Sequence, residues 1–370
     1  MLLEAPTALR GGGPGDMKQF IHIYNNIITV EKLLKAWQEF LRDKRDRKDV
    51  ILFQAKLMDN IFDLYNDLKN KTYKHSNYIA FNISDPKPRQ IHKATVRDRL
   101  LHHLIYQELY SYFDSKFIFD SYSCRLNKGT HKAINRFRDF FHKVSKNNTR
   151  TCWILKCDIK KFFANIDHQI LKKILEKHIK DKDILWLLGR VINSFSSTVH
   201  IYAIADICKR GLPLGNLTSQ LLVNVYMNEF DQFVKRKLKI KYYIRYADDF
   251  VILHESRKYL EAQLPKLRDF LSESLKLSLQ SLKLSLHPEK VLIKTFSSGI
   301  DFLGWVHFPK HRVLRTATKK RMIRVLFNNS KKPVADSYLG LLKHGNTNKL
   351  KIALGLGDKQ LWLYNKAINH

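Results

Sequence analysis

The chain has 370 residues, 44% of them hydrophobic, so it is globular and long enough for two or three subdomains around a substantial core. Its formal net charge of +32 opposes compact folding unless the partner is a polyanion, and its 12% of aromatic residues suits stacking against bases. Nucleic acid is therefore the expected partner. An anionic membrane is the alternative, but no run of about 18 apolar residues supports it, and no membrane partner is predicted.

The sequence of the first 75 residues predicts an extension followed by helices. Residues 1–16 are rich in glycine and proline and lack the features of a signal peptide, which predicts a flexible extension with Met17 as a candidate natural start. Segment 17–75 predicts a helical region, with apolar residues at helical spacing from Val30 to about Leu68. Four scattered cysteines favour a reducing, cytoplasmic compartment over a zinc module or a disulfide framework.

Short strands and helices are predicted next. Residues 78–83 and 89–91 read as strands around a proline-containing turn with basic side chains at its tip. Helices are predicted at 97–112 and 130–145, and a short buried strand is predicted at 153–157.

The second half is predicted to be mainly helical. The predicted helices lie at 168–180, 184–195, 217–238 and 260–271, and a strand pair is predicted to begin at 299–306. Residues 310–370 contain fourteen Lys or Arg and two Asp, as expected of basic helices that face a duplex backbone. Residues 274–287 are a tandem near-copy of seven residues, which a helix could absorb without reversing its faces, and we have no functional account of it.

Three carboxylates carry the strongest chemical signal. Asp248 and Asp249 lie between two runs rich in aromatic and β-branched residues, which predicts a tight hairpin with an acidic tip. Asp158 ends the strand predicted at 153–157, where it could face that tip across a small sheet. Adjacent carboxylates in an apolar setting need a cation to balance their negative charge, and Mg²⁺ is a cation that prefers oxygen ligands. An ordinary acidic turn and a helix N-cap are the alternatives for the two elements.

The order of these segments, from about 81 to 305, resembles that of a reverse transcriptase. This resemblance implies an α+β right-hand polymerase fold, with fingers and palm over 76–309 and a basic helical thumb over 310–370. The N-terminal helical extension precedes them. In the family, the positions of Asp158, Asp248 and Asp249 are catalytic and hold two Mg²⁺ ions, which suits two-metal nucleotidyl transfer.

Further positions match motifs that bind the incoming dNTP in this family. Lys87 and Arg89 match the basic fingertip segment that holds the triphosphate. Arg125 matches a second fingers motif, although Ser-Cys precedes it instead of the usual Gly-Phe. Phe163, five positions after Asp158, matches an aromatic gate against the ribose 2′-OH, and core packing is the alternative.

Two later motifs match parts of the family that act on pyrophosphate and on the primer. Lys290, in His-Pro-Glu-Lys, matches a lysine that protonates the leaving pyrophosphate, and it adjoins the tandem repeat. The four residues of the primer-grip match are Phe302, Leu303, Gly304 and Trp305.

The segment 211–220 indicates a subfamily. Most reverse transcriptases carry Gln-Gly, three residues and Ser-Pro here, whereas this chain keeps Gly215 but has Leu214 and Gln220 at the glutamine and proline positions. This variant resembles the reverse transcriptases of diversity-generating retroelements, which copy template RNA with errors at adenines. A leucine in place of a polar contact would loosen the geometric check on the nascent pair. Neutral drift at a helix start is the alternative.

The resemblance implies RNA-directed DNA synthesis from dNTPs, with template RNA and primer or cDNA as partners. A diversity-generating enzyme would also need a small basic accessory protein. The alternatives are a retron, group II-like or phage-defence reverse transcriptase, a non-catalytic RNA-binding splicing cofactor, and, more remotely, a palm-type nucleotide cyclase. About 65 residues follow Trp305, enough for a short thumb but not for an RNase H or nuclease domain.

Overall fold

The computed structural model describes residues 20–84, 88–159, 161–197, 209–275, 292–328 and 332–354. Several sequence predictions lie outside these ranges, namely the extension 1–16, Lys87, Lys290 and nearly all of the repeat at 274–287. In the described part of the chain, no helix has the length and apolar character needed to cross a bilayer. The three cysteines described there are free thiols.

Helices and strands follow one another in a mixed order. The α-helices of the described ranges are α1 (Tyr24–Ile27), α2 (Val30–Phe40), α3 (Lys48–Ala55), α4 (Leu57–Lys69), α5 (Val96–Lys116), α6 (Thr130–Val144), α7 (Phe162–Asn165), α8 (His168–His178), α9 (Lys182–Asn193), α10 (Leu217–Gln232), α11 (Arg257–Asp269), α12 (Thr316–Asn328), α13 (Lys332–Leu342) and α14 (Asn348–Ala353). The strands are β1 (Ile79–Ile83), β2 (Arg89–Lys93), β3 (Trp153–Asp158), β4 (Tyr243–Tyr246), β5 (Asp249–His254), β6 (Leu292–Thr295), β7 (Ile300–Phe302), β8 (Trp305–His307) and β9 (Arg312–Leu314).

The described chain from Tyr24 to Lys69 contains four helices, α1 to α4. Thr29 begins α2 by accepting a hydrogen bond from the backbone N of Lys32 at 3.2 Å, which satisfies one amide of the first turn. The charged run after α2 forms the turn that leads into α3. Leu33 and Trp37 of α2 are buried in the same core as α5, so this region packs onto the rest of the molecule.

A four-stranded antiparallel sheet, in the order β4-β5-β3-β6, forms the centre of the molecule. Successive side chains along its strands β3 and β5 point alternately into two hydrophobic cores. Leu155 and Ile252 face the core that contains α5 and α10, whereas Ile154 and Val251 face the core that contains α6 and β7 to β9. Both faces are covered, which explains why these strands read as nearly continuous apolar runs.

Two smaller sheets flank the central one. Strands β1 and β2 form an antiparallel hairpin, as predicted, with Ile83 opposite Arg89. Strands β7, β8 and β9 form the second, which confirms the strand pair predicted at 299–306. Leu303 and Gly304 make its tight turn with φ of 50° and 87°, typical of a two-residue hairpin turn.

A buried ion pair joins the central sheet to α10. Arg245 of β4 and Asp231 of α10 are both 0% exposed, and the guanidinium binds both carboxylate oxygens at 2.8 and 2.7 Å. The Arg245 guanidinium also donates to Ser121 Oγ, Asn224 Oδ1 and the carbonyl of Ala247 at 3.0, 3.3 and 3.1 Å. Burial opposes the charge, but the Asp231 carboxylate raises the pKa of Arg245, so the guanidinium stays ionised.

We expect Asp231→Asn to destabilise the fold by about 3–5 kcal/mol, because it leaves a buried guanidinium without its counter-charge. Urea unfolding monitored by circular dichroism measures this loss. The matched control is Glu261→Gln, which removes one partner of the exposed Arg257–Glu261 pair on α11, and its midpoint should stay close to that of the unmodified protein. Equal midpoints for both variants would show that the buried pair does not anchor the sheet.

Candidate active site

The three predicted carboxylates meet at one end of the central sheet. Asp158 is the last residue of β3 and lies opposite Asp249, the first residue of β5. Ala247 and Asp248 form the turn between β4 and β5, and Ala247 has a φ of 54°. The carbonyl of Asp248 accepts a hydrogen bond from the backbone N of Ile159 at 3.3 Å, which ties the turn to the end of β3. The predicted acidic hairpin facing Asp158 is confirmed.

The electrostatics distinguish this turn from an ordinary surface turn. Burial raises the pKa of Asp248 to about 6, and the negative charges of Asp158 and Asp249 add to that shift. The nearby Arg89 guanidinium lowers the pKa in partial compensation. The N-cap alternative for Asp158 does not apply, because α7 begins after Lys161 and no side chain caps it.

The donor set fits a hard divalent cation. Asp248 lies close enough to Asp158 and Asp249 for their charges to repel, and all three side chains offer only oxygen ligands. Within the described ranges, however, no three His, Cys, Asp or Glu side chains form a ready-made metal cluster. Because of this oxygen-only donor set, Asp158 and Asp248 are the residues that would hold Mg²⁺, with Asp249 beside them.

Lys156 links the carboxylates to the β7–β8 hairpin, a role that the sequence did not reveal. Its Nζ donates to the carbonyl of Asp301 at 2.8 Å and lies 4.0 Å from Asp249 Oδ1. The side chain therefore fixes the hairpin against the edge of the site. A lysine two positions before a strand-end aspartate is the only sequence signal for this contact, because its partner is 145 residues away.

The segment 211–217 holds the β1–β2 hairpin over the site. The carbonyl of Leu214 accepts from the backbone N of His92 at 3.0 Å, and Asn216 Nδ2 donates to the carbonyl of His92 at 2.9 Å. Gly215 has a φ of +101°, and a Cβ there would lie 2.8 Å from Ile91 Cγ2. Only glycine permits this close approach without strain. Arg89, on the same strand, is thereby positioned near Asp248.

The proposed gate residue is held by the same segment. The carbonyl of Phe163 accepts from the backbone N of Leu212 at 2.8 Å, and its ring is half-buried against the ring of Phe162. Gln220 lies one turn into α10 and is half-buried. Arg89, Phe163, Leu214 and Gly215 are thus connected through a single stretch of backbone.

Arg125 is engaged elsewhere. Its Nε donates to Asp114 Oδ1 at 2.6 Å, and its Nη1 donates to the carbonyls of Ile118 and Ser121 at 2.7 and 3.0 Å. These contacts fold the loop after α5 and leave the side chain 6% exposed. We therefore assign Arg125 a structural role and leave it out of the nucleotide site.

The primer-grip match needs a similar correction for its two aromatic residues. Phe302 and Trp305 are 0% and 1% exposed and pack into the core with α6. Leu303 and Gly304, at the turn, are half-buried, and the carbonyl of Gly304 accepts from the backbone N of Arg315 at 3.0 Å. Of these four residues, Leu303 and Gly304 are the ones that reach the surface, and the buried rings of Phe302 and Trp305 support the turn from the core.

The family model for reverse transcriptase (RNA-dependent DNA polymerase) matches residues 74–307. The chain belongs to the reverse transcriptase family. This reverse transcriptase has the α+β right-hand polymerase fold, as the sequence predicted, and its matched region spans the β1–β2 hairpin, the three carboxylates and the β7–β8 hairpin.

Two curated proteins illustrate its relatives. Protein YkfC of Escherichia coli K12 is 26% identical over 308 residues, which cover 74% of this chain and 76% of YkfC. The group II intron-encoded protein LtrA of Lactococcus lactis is 25% identical over 375 residues, which cover 83% of this chain but only 59% of LtrA. A telomerase structure from Candida tropicalis aligns with a TM-score of 0.46 at 12% identity, over 67% of this chain and 58% of that one.

We expect Gly215→Ala to raise the KM for dNTPs several-fold, because the added Cβ pushes β2 and with it Arg89 away from Asp248. The left-handed backbone should add a stability loss of about 1–2 kcal/mol. Steady-state primer extension and thermal unfolding measure the two effects. Gly189→Ala is the matched control: it lies within α9 with open space around it, so it should stabilise by roughly 0.5–1 kcal/mol and leave KM unchanged. An unchanged KM in Gly215→Ala would show that this segment does not contribute to dNTP binding.

Proposed function

We propose that this reverse transcriptase makes cDNA on an RNA template by two-metal nucleotidyl transfer, with Asp158, Asp248 and Asp249 as its catalytic carboxylates. The observation that carries the proposal is the register of the central sheet, which sets Asp158 opposite Asp249 beside the half-buried Asp248. Bound Mg²⁺ would supply the Lewis acid that activates the primer 3′-hydroxyl and stabilises the leaving pyrophosphate. A non-catalytic scaffold would gain nothing from three mutually repelling carboxylates at one edge.

The remaining residues bind and orient the dNTP. Arg89 reaches the site from β2, and its planar guanidinium suits two oxygens of a triphosphate. Lys87 would assist it from the hairpin tip, and Lys290 would give a proton to the leaving pyrophosphate. Phe163 is held by its backbone contact with Leu212, and its ring would exclude a 2′-hydroxyl by steric clash.

The partners follow from charge and from the relatives. A net charge of +32 suits template RNA and a primer or cDNA strand. The group II intron-encoded relative LtrA supports a group II-like lineage for this chain. The Leu303 and Gly304 turn would contact the primer end, because it is half-buried whereas Phe302 and Trp305 are fully buried.

Leu214 carries a finer proposal about fidelity. Its carbonyl anchors the fingers hairpin, whereas its half-buried side chain is aliphatic where most reverse transcriptases have glutamine. An aliphatic side chain cannot hydrogen-bond the nucleotide. The binding free energies of a paired and a mispaired dNTP would therefore differ less than with glutamine at this position. We therefore propose error-prone copying at template adenines, as in diversity-generating retroelements, with a small basic accessory protein as a further partner. A faithful group II-like enzyme is the alternative, favoured by the named relatives.

Asp248→Asn should lower primer extension on an RNA template by at least about 100-fold, because losing a metal ligand removes several kcal/mol of transition-state stabilisation. Extension with Mg²⁺ and four dNTPs measures this, with circular dichroism to check the fold. Asp59→Asn, at an exposed position on α4, is the control and should extend normally. Extension by Asp248→Asn at the unmodified rate would refute the catalytic assignment.

Sequencing of the same products tests the fidelity proposal. Substitutions concentrated opposite template adenines, and reduced in Leu214→Gln, would support the diversity-generating assignment. Accurate cDNA would keep the polymerase and favour the group II-like alternative. RNA binding without incorporation, with cognate RNA and accessory protein supplied, would favour the splicing-cofactor alternative.

Phe163→Val should admit ribonucleotides, because a smaller side chain removes the steric clash with the 2′-hydroxyl. The measurement is the ratio of kcat/KM for dNTP and rNTP in single-nucleotide extension, which should fall by at least about tenfold, or about 1.4 kcal/mol. Phe162→Val, at the fully buried neighbouring ring, is the control and should lower stability without changing the ratio. An unchanged ratio in Phe163→Val would leave Phe163 as a core residue.

A further inference from the structure

One cavity has a basic lining that includes none of the three carboxylates. It has a volume of about 500 Å³ and is lined by α6, the turn between β8 and β9, and the turn between α13 and α14. We propose that this cavity, the α6 cavity, binds phosphate groups of an RNA segment that lies outside the polymerase cleft. RNA enters this proposal as the substrate of the proposed function, but the binding needs no catalysis.

Two arginines form the fixed part of the α6 cavity. Arg138 donates to the carbonyls of Phe308 and Pro309, each at 3.3 Å. Arg312 donates through Nη1 to Asn135 Oδ1 at 2.9 Å and through Nε to the carbonyl of His344. These bonds orient both guanidinium groups with neutral acceptors, so their positive charges are not cancelled. Among the described residues, neither arginine forms a salt bridge with a carboxylate.

The charge around the cavity is strongly one-sided. Lys310 and Lys343 add two exposed ammonium groups to the two arginines, and Asp139 is the single carboxylate of the lining. Burial and the charge of Arg138 lower the pKa of Arg312, which reflects the cost of holding these cations together. A bound phosphate would relieve that cost, and a guanidinium fork suits two of its oxygens.

The cavity is separate from the primer-grip turn. Leu303 and Gly304 close one end of the β7–β8 hairpin, whereas Phe308 begins the turn at the other end of β8. A strand of three residues spans roughly 10 Å, so the cavity lies about that far along β8 from the turn.

The rim of the cavity suits a polymer better than a free anion. The imidazole rings of His131 and His344 stack there with centroids 3.6 Å apart, and exposed Lys310 and Lys343 lie on the β8–β9 and α13–α14 turns. Cations spread over three elements can contact successive phosphates of one strand. The chemistry is that of phosphate, and a nucleic-acid backbone is the source that matches this spread.

The test is a double charge reversal, Lys310→Glu with Lys343→Glu, at two exposed positions of the cavity lining. The control is Lys258→Glu with Lys266→Glu on α11, which changes the net charge equally at two exposed lysines. Fluorescence anisotropy of a labelled RNA hairpin is followed across a salt series, with excess unlabelled primer–template duplex to occupy the cleft. Thermal unfolding checks the fold of both variants.

We expect the cavity variant to bind the RNA hairpin at least about tenfold more weakly and to lower the salt slope by about 1.4–1.8, which corresponds to two lost phosphate contacts. The control should keep both values. Equal losses in both variants, or no loss in either, would overturn the proposal. Calorimetric binding of inorganic phosphate that depends on Lys310 and Lys343, with RNA binding unaffected, would overturn the assignment to nucleic acid.

The same series run with the Asp248→Asn protein separates the two proposals. In Asp248→Asn, loss of primer extension with normal binding of the RNA hairpin would bear only on the catalytic role of the carboxylates. Loss of hairpin binding in the cavity variant would concern only the α6 cavity, whichever result the extension assay gives.

Discussion

The site depends on the buried pair between Arg245 and Asp231. A guanidinium without solvent must find all of its partners within the protein, and here they come from α10, from Ser121 and from the carbonyl of Ala247. The same contact that stabilises the charge therefore fixes the turn that presents Asp248. Tyr243 adds a hydrogen bond to Asp231 at 2.7 Å, so the carboxylate is held from two positions on β4. The buried contacts of Arg245 thus determine the geometry of the acidic turn.

The repulsion among the carboxylates couples the palm to the fingers hairpin. Asp248 has a raised pKa because burial and two neighbouring carboxylates oppose its charge, and the cations Arg89 and Arg245 interact favourably with it. Arg89 lies on β2, whose position depends on the backbone of Leu214 and Gly215. Under the proposed function, a triphosphate bound by Arg89 would also change the charge balance at Asp248, so one strand would link nucleotide binding to the ionisation of the carboxylates.

Much of the fold and the position of the three carboxylates could be predicted from local patterns. Apolar periodicity located most helices, and two acidic motifs at strand ends located the three carboxylates, because these signals lie within a few residues of each other. The buried charge of Arg245 was missed, since an arginine in an apolar strand has a sequence signal only when its partner is known. Lys156 and Arg125 were missed or misassigned for the same reason: their partners are set by tertiary packing.

Backbone contacts explain how residue 214 can vary without loss of the fold. The hydrogen bonds that join the 211–217 segment to His92 use the carbonyl of Leu214 and the side chain of Asn216, and the close approach to Ile91 uses the missing Cβ of Gly215. None of these contacts involves the side chain of Leu214. A different side chain at position 214 would therefore leave these three contacts intact, and under the proposed function it would change only the surface that a dNTP meets.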